Sequence, residues 1–267
     1  MRHAVFLPPF GPLADPKVML DLAVTAESTG WDGIFLWDHI LRPAHEPQEI
    51  ADVWVMLAAM ATVTTSIRLG PMVTPVVRRR PQKLAREAVT VDHLSGGRLT
   101  IGLGLGVDTS GELSKFGEVV DAKTRGDILD EGADLLVQLW SGEDVQHRGT
   151  HFVAEGVRLL PRPLQRPSIP LWLAARGEAR RPVRRAARFD GLFPIEVDPD
   201  GLARMLDVVA AERGSLDGFD VAIVAHPGAD VPAMAERGAT WAMWAFQPGE
   251  GPSDIAPFLE RGPTNVL

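Results

Sequence analysis

Asp38 and His39 stand side by side at the end of an apolar run, Gly33-Ile34-Phe35-Leu36-Trp37. An imidazole titrates near neutral pH, so His39 is a candidate general acid or base, and a facing carboxylate would orient it. The plainer alternative is a histidine that only satisfies its own hydrogen bonds. Asp38 is a candidate cofactor-contacting carboxylate, or else the cap of the segment that follows. Asp38, His39 and His226 are metal-ligand types, but no HxH pair or further ligand set accompanies them, and adjacent strand residues face opposite ways, so no metal is expected.

A second candidate is a stripe of glycines. In Leu99 to Gly106, Gly102, Gly104 and Gly106 alternate, so a period of two puts three bare backbones on one face, which something flat could approach. Such glycines can equally admit a packed neighbour. The spacing is not that of a dinucleotide fingerprint. Ala174-Ala175-Arg176-Gly177-Glu178 leads into an arginine-rich helix whose free amides would suit an anion. Arg180, Arg181, Arg184 and Arg185, like Arg78, Arg79 and Arg80, are either a solvated face or an attraction for a polyanion. Trp37, Trp172 and Trp244 fall near strand ends, as walls of an apolar pocket or as core.

The elements that must position these groups alternate. Strands are expected at Ala4 to Leu7, Gly33 to Ile40, Ile67 to Val76, Leu99 to Gly106 and Leu171 to Ala174, then at 191–197, 219–225 and 239–246. Helical spacing is read over Pro16 to Thr29, Asp52 to Val63, Pro81 to Leu94 and Arg125 to Trp140, then over 181–189, 200–213, 231–237 and 254–260. Gly70, Pro71 and Pro75 do not suit a regular central strand, so a bulge or strained peptide is expected in the third strand. Eight strand–helix units imply an α/β fold with a parallel sheet closing into a (β/α)₈ TIM barrel, with an open doubly wound sheet as the alternative, distinguished by whether the first and last strands pair. A polar loop from Val107 to Thr124 follows strand four, and a small hairpin is expected within Ser141 to Ile169, before strand five. Catalytic groups of such barrels sit at the carboxyl ends of the strands, which picks out Asp38, His39, Thr74, Gly106, Asp108, Arg176, Gly177, Glu196, His226 and Gln247.

Composition narrows the class. The chain has 267 residues, read as one domain over 1–267, and a net charge of −8 from 27 basic and 35 acidic residues. That balance argues against general binding to nucleic acid or anionic membranes. With no cysteine there is no thiol nucleophile, disulfide or thiolate metal site, and with no tyrosine there is no phenolic acid. No signal-peptide layout or membrane-length apolar run is seen, so a soluble cytoplasmic protein is expected.

Gly70-Pro71-Met72-Val73-Thr74-Pro75, Arg80-Pro81, Leu84-Ala85, Asp92-His93-Leu94-Ser95-Gly96-Gly97-Arg98 and Gly102-Leu103-Gly104-Leu105-Gly106 together resemble the bacterial luciferase-like monooxygenase superfamily. The likeness runs from Trp37-Asp38-His39 through Leu139-Trp140, Gly149-Thr150-His151-Phe152, Pro161-Arg162-Pro163-Leu164-Gln165 and Pro170-Leu171-Trp172 to Asp190-Gly191. The resemblance implies a flavin-type oxidoreductase or monooxygenase using coenzyme F420 or FMN on a small organic substrate, with F420 preferred for Asp38-His39. It implies His39 as the catalytic participant and Asp38 at the flavin. It also implies a non-prolyl cis peptide at Met72-Val73 against the ring, Thr74 at the ring edge and Gly104 and Gly106 beneath it, with phosphate near Ala175, Arg176 and Gly177. Arg176 stands where the family commonly has glycine or serine, and Val107 where some F420-dependent sugar-phosphate dehydrogenases have glutamate. A homodimer is implied by resemblance alone. The other classes are a non-catalytic flavin-binding barrel and a metal-dependent barrel hydrolase.

Overall fold

A computed structural model describes residues 1–265. Eight parallel positions make the barrel. They are β1 (Arg2–Leu7), β2 (Gly33–Leu36), a third position divided between β3 (Arg68–Pro71) and β4 (Thr74–Pro75), β5 (Ile101–Gly104), β8 (Leu171–Arg176), β9 (Gly191–Ile195), β10 (Asp220–Ala225) and β11 (Trp241–Ala245). β1 pairs with β11 from Arg2↔Trp241 to Phe6↔Ala245, which excludes the open sheet. Closure on the other side runs through the Leu69↔Leu99 bridge and through Thr74↔Leu103 and Pro75↔Gly104. The helices are α1 (Pro16–Ser28), α2 (Val53–Val63), α3 (Pro81–Leu94), α4 (Ala122–Trp140), α5 (Arg180–Ala186), α6 (Pro199–Arg213), α7 (Val231–Glu236) and α8 (Pro252–Glu260). The expected hairpin is β6 (Val145–Arg148) with β7 (Val153–Val157).

Strand alternation sorts the core into two. Val5, Leu7, Ile34, Leu36, Leu171, Leu173, Ala175, Ile223, Ala242 and Trp244 face the helical shell, as expected of strands buried on both sides. Ala4, Phe6, Phe35, Met72, Trp172, Phe193, Ala222, Trp241 and Met243 fill the barrel. The Trp172 and Trp241 rings lie 5.5 Å apart inside it. They fit because their neighbours are glycines: a Cβ on Gly191 would stand 2.4 Å from Trp172, and one on Gly33 3.0 Å from Trp241. Trp172 and Trp244 are therefore core, which corrects the reading of either as a pocket wall.

The third strand, expected over Ile67–Val76 with a bulge or strained peptide, is divided in two. It breaks at a cis Met72–Val73 bond, and Val76–Arg78 turns into a 3₁₀ helix. β5 stops at Gly104, short of the expected Gly106, which lies beyond the strand with φ of 72°. The stripe is not bare. A Cβ on Gly102 would meet Met72 Sδ at 2.3 Å and Pro71 O at 2.9 Å, one on Gly104 would meet Val73 Cγ2 at 2.6 Å, and one on Gly106 Pro75 Cβ at 2.9 Å. These glycines admit the bulged neighbour, so the surface offered at that point is Val73. Gly102→Ala is expected to destabilise the fold by about 1–3 kcal/mol through overpacking against a backbone carbonyl, read as a lower urea midpoint at unchanged slope. An unaltered midpoint would mean the bulge is not seated there.

Aspartates start most of the helices. Asp15, Asp52, Asp121, Asp198 and Asp230 each accept an amide of the first turn. Asp121 explains why α4 begins at Ala122 and not at Arg125. Many of the recognised motifs are staples of the same kind. Arg98 donates to Ala61 O (3.1 Å), Thr64 O (2.8 Å) and Ile67 O (2.7 Å). Buried Asp92 accepts from Leu164 N (2.6 Å) and Gln165 Nε2 (2.8 Å), and Glu131 accepts from His151 N (2.9 Å) and Phe152 N (2.7 Å). Glu27 ties α1 to the start of β3 by accepting from the amides of Thr65, Ser66 and Ile67. Its partial burial alone would raise its pKa, but these donors outweigh burial and hold it down to about 2. A depressed folded pKa gives stability that is present above the unfolded value, about 4.5, and is lost as pH falls through the folded value of about 2. Wild type is therefore expected to lose stability over that window more steeply than Glu27→Gln, and parallel acid titrations of the two proteins would contradict this.

Candidate functional site

The carboxyl ends of the strands open onto an apolar floor. Trp37, Val73, Ala174, Ile195, Val224 and Ala245 are partly exposed and rest on the filled barrel. Each comes from a different barrel position, and all but Val73, which directly follows the inward-facing Met72 across the cis bond, continue the inward-facing alternation of their strands. Val73, which sits on Gly104, supplies the raised part of the floor.

Two polar centres flank it, both at the end of β2. In the first, Asp38 is buried and accepts from Thr74 Oγ1 at 2.7 Å and from Arg79 Nη2 at 2.8 and 3.0 Å. Arg78 Nη2 donates to the Asp38 carbonyl at 2.6 Å and lies 3.4 Å from Oδ1. Trp54 Nε1 donates to Thr74 Oγ1 at 3.2 Å. The Thr74 hydroxyl therefore gives its one proton to Asp38 and receives one from Trp54, so the strand-three edge and strand two are locked by groups with little exposed surface. Arg78 and Arg79 belong to this lock and are not a solvated face.

In the second centre, His39 Nδ1 and Glu112 Oε2 are 2.8 Å apart, and Glu112 Oε1 accepts from Ile40 N at 2.6 Å and Leu41 N at 3.1 Å. Glu112 is 2% exposed and His39 half-buried. The His39 ring lies 6.0 Å from Trp37 and 5.9 Å, edge-on, from Phe10. Burial by itself would raise the Glu112 pKa, but the His39 contact, the Ile40 amide and the charge of Arg78 outweigh it and leave it lowered. Glu112 is the residue that inspection of the sequence missed. It lies 73 positions from His39 on the loop after β5, and the available signal was the length of that polar loop together with a histidine in need of a facing carboxylate.

The other expected residues are placed elsewhere. Ala175 points into the helical shell and Arg176 is exposed and bonded to Glu196. Gly177, with φ of 57°, donates to Ile195 O at 2.9 Å, and α5, only seven residues long, starts without a side-chain cap. Three of its four arginines pair with neighbouring helices: Arg181 binds Asp127 and Asp130, Arg185 binds Asp130, and Arg184 pairs with Glu212. These pairs join α5 to α4 and α6; Arg180, Arg181 and Arg184 lie on an exposed face, and only Arg185 is buried. His226 is exposed with Nδ1 3.0 Å from Pro227 O. No cluster suited to a metal ion occurs among the described residues, and no helix among them is long and apolar enough to cross a membrane.

Known proteins share this fold. An F420-dependent glucose-6-phosphate dehydrogenase of Microbacterium testaceum is 30% identical over 165 residues, 61% of this chain and 48% of that protein, so the chain spans about half the length of this relative. An uncharacterized protein of Mycobacterium tuberculosis is 34% identical over 216 residues, 79% of this chain and 74% of that protein. Among solved structures, an F420-dependent secondary alcohol dehydrogenase in complex with an F420-acetone adduct superposes with a TM-score of 0.82 at 18% identity, over 100% of this chain and 99% of the other. The coenzyme F420-dependent tetrahydromethanopterin reductase of Methanopyrus kandleri does so at 0.79 and 17%, over the same shares. At those identities the likeness establishes the barrel fold. The family model for luciferase-like monooxygenases matches residues 1–258, and the chain belongs to that family.

Proposed function

We propose that the chain, as one luciferase-like domain over residues 1–267, is an F420- or FMN-dependent oxidoreductase or monooxygenase acting on a small organic substrate at the barrel mouth. The observation that carries this reading is the His39–Glu112 pair at the rim of an apolar floor built from six barrel positions. The floor suits a planar heterocycle, since Val73 and Trp37 present partly exposed apolar surface and the Trp37 Nε1–H is buried without a partner. Val73 with the Met72–Val73 peptide would hold the ring from below, while Asp38 and Thr74 keep that ledge in place. A phosphate at 175–177 would require Arg176 to leave Glu196, and the Gly177 amide is already given to Ile195 O.

When bound, such a cofactor supplies the ring that accepts or returns hydride or meets oxygen. The protein supplies position, dryness and a proton carrier. For an alcohol oxidised to a carbonyl, His39 would take the hydroxyl proton, and in the reverse direction it would return it. The six residues named for the floor are apolar, a surface that suits an uncharged substrate. F420 is preferred because relatives named as F420-dependent extend to both the curated and the solved proteins. A cytoplasmic setting and a homodimer enter this reading from the family alone.

The test is turnover with F420 and with FMN against a panel of uncharged alcohols, aldehydes and ketones beside glucose 6-phosphate. Cofactor-dependent turnover on the uncharged panel is expected. Activity confined to glucose 6-phosphate would overturn the substrate reading, and binding without turnover across the panel would support a non-catalytic flavin-binding barrel.

A further inference from the structure

The loop after β5 does more than cover the mouth. Asp108 closes it on itself by accepting from Leu113 N at 2.8 Å and Ser114 N at 3.0 Å, which aims the intervening Glu112 away from its own loop and toward the end of β2. Glu112 then spends both oxygens there, Oε2 on His39 and Oε1 on the amides of Ile40 and Leu41. A side chain so buried has no solvent to replace a lost partner.

We propose that Glu112 is the positioning residue of this site, holding the 107–121 loop on the β2 end and fixing His39 as the Nδ1–H tautomer, so that Nε2 is the atom that exchanges a proton with substrate. The tautomer follows from donor and acceptor chemistry. An ionised carboxylate only accepts, so the proton between the two groups belongs to Nδ1 and neutral His39 carries its lone pair on Nε2. No hydrogen-bond partner for Nε2 occurs among the described residues, and the Trp37 and Phe10 rings stand beside the imidazole. Two elements far apart in sequence are thus joined at the atom that would do the chemistry. The catalytic part of this inference rests on the proposed function, whereas the tautomer and the clamp do not.

The experiment is ¹⁵N-histidine NMR on the full chain without cofactor, at a pH where His39 is neutral, together with amide hydrogen exchange. In the wild type, His39 is expected to show Nδ1 protonated and Nε2 bare. In Glu112→Gln, whose single carbonyl oxygen must choose between the amides and the imidazole, the two tautomers are expected to mix and the 107–121 amides to exchange at least tenfold faster. An Nε2–H tautomer in the wild type overturns the proposal even if the variant fails to fold, as does a Glu112→Gln protein identical to wild type in both readouts. In active preparations the substitution should lower kcat more than it raises KM. The expected tautomer with no turnover under any flavin would defeat the proposed function and leave Glu112 in its structural role, while turnover with the wrong tautomer would do the reverse.

Discussion

His39→Ala is expected to lower kcat by about 10²–10⁴-fold, the range supplied by a positioned acid or base, while cofactor affinity stays near wild type and the fold is kept at a cost of about 1–3 kcal/mol for the Glu112 oxygen left unpaired. The expectation follows from where the ring sits. It is half-buried at the rim of an apolar floor, one nitrogen is held by a buried carboxylate, and the other is left without a protein partner. Its removal deletes the proton carrier and leaves Glu112 Oε2 without its partner, while the Ile40 and Leu41 amides still hold Oε1. Steady-state kinetics of the variant beside its unfolding curve checks both halves. Turnover within a few-fold of wild type would show that the proton travels another way, and a collapse of stability would show that the imidazole is chiefly structural.

Asp38→Ala carries the largest expected cost in stability, about 3–5 kcal/mol, because removing one partner of a buried ion pair leaves its counter-charges unpaired. The carboxylate and Arg78 are almost wholly shielded and Arg79 nearly so, with side-chain exposures of 2%, 5% and 16%. The Thr74 hydroxyl and the Asp38 carbonyl belong to the same lock, so the damage would spread to the strand-three ledge that carries Val73. Asp38→Asn should cost less, since an amide oxygen still accepts from Thr74 or one guanidinium. Urea unfolding measures the difference, and a loss below about 1 kcal/mol for Asp38→Ala, the worth of a surface pair, would contradict the lock.

The parts of this architecture that were readable in the sequence share one property: their causes are local. Apolar residues at helical spacing announce the helices, Ser95-Gly96-Gly97 ends α3, and Gly70, Pro71 and Pro75 forbid a regular third strand. The divided strand and its cis bond appear where those residues stand. The family likeness was visible because its motifs are staples, with Arg98, Asp92, Glu131 and Asp190 each tying two elements together. What stayed hidden depends on partners brought together only by the closed barrel. Nothing near Glu112 in the chain announces His39, and nothing near Arg181 and Arg185 announces Asp127 and Asp130 on α4. The glycine stripe left two readings open for the same reason, and the packed neighbour is the one found. Period two correctly put Gly102 and Gly104 on one face, but it could not say that Met72 and Val73 would already occupy it.

The central claim is that the apolar floor at the strand ends seats a flavin-type ring. Its most direct measurement is an equilibrium titration of the full chain with F420 and with FMN, followed by quenching of tryptophan fluorescence and repeated with Val73→Glu, which puts a carboxylate on the raised part of the floor. Saturable binding of at least one of the two at one per chain, weakened by Val73→Glu at least tenfold, is the expected result. Failure of both to bind, or binding indifferent to the change at Val73, would contradict it.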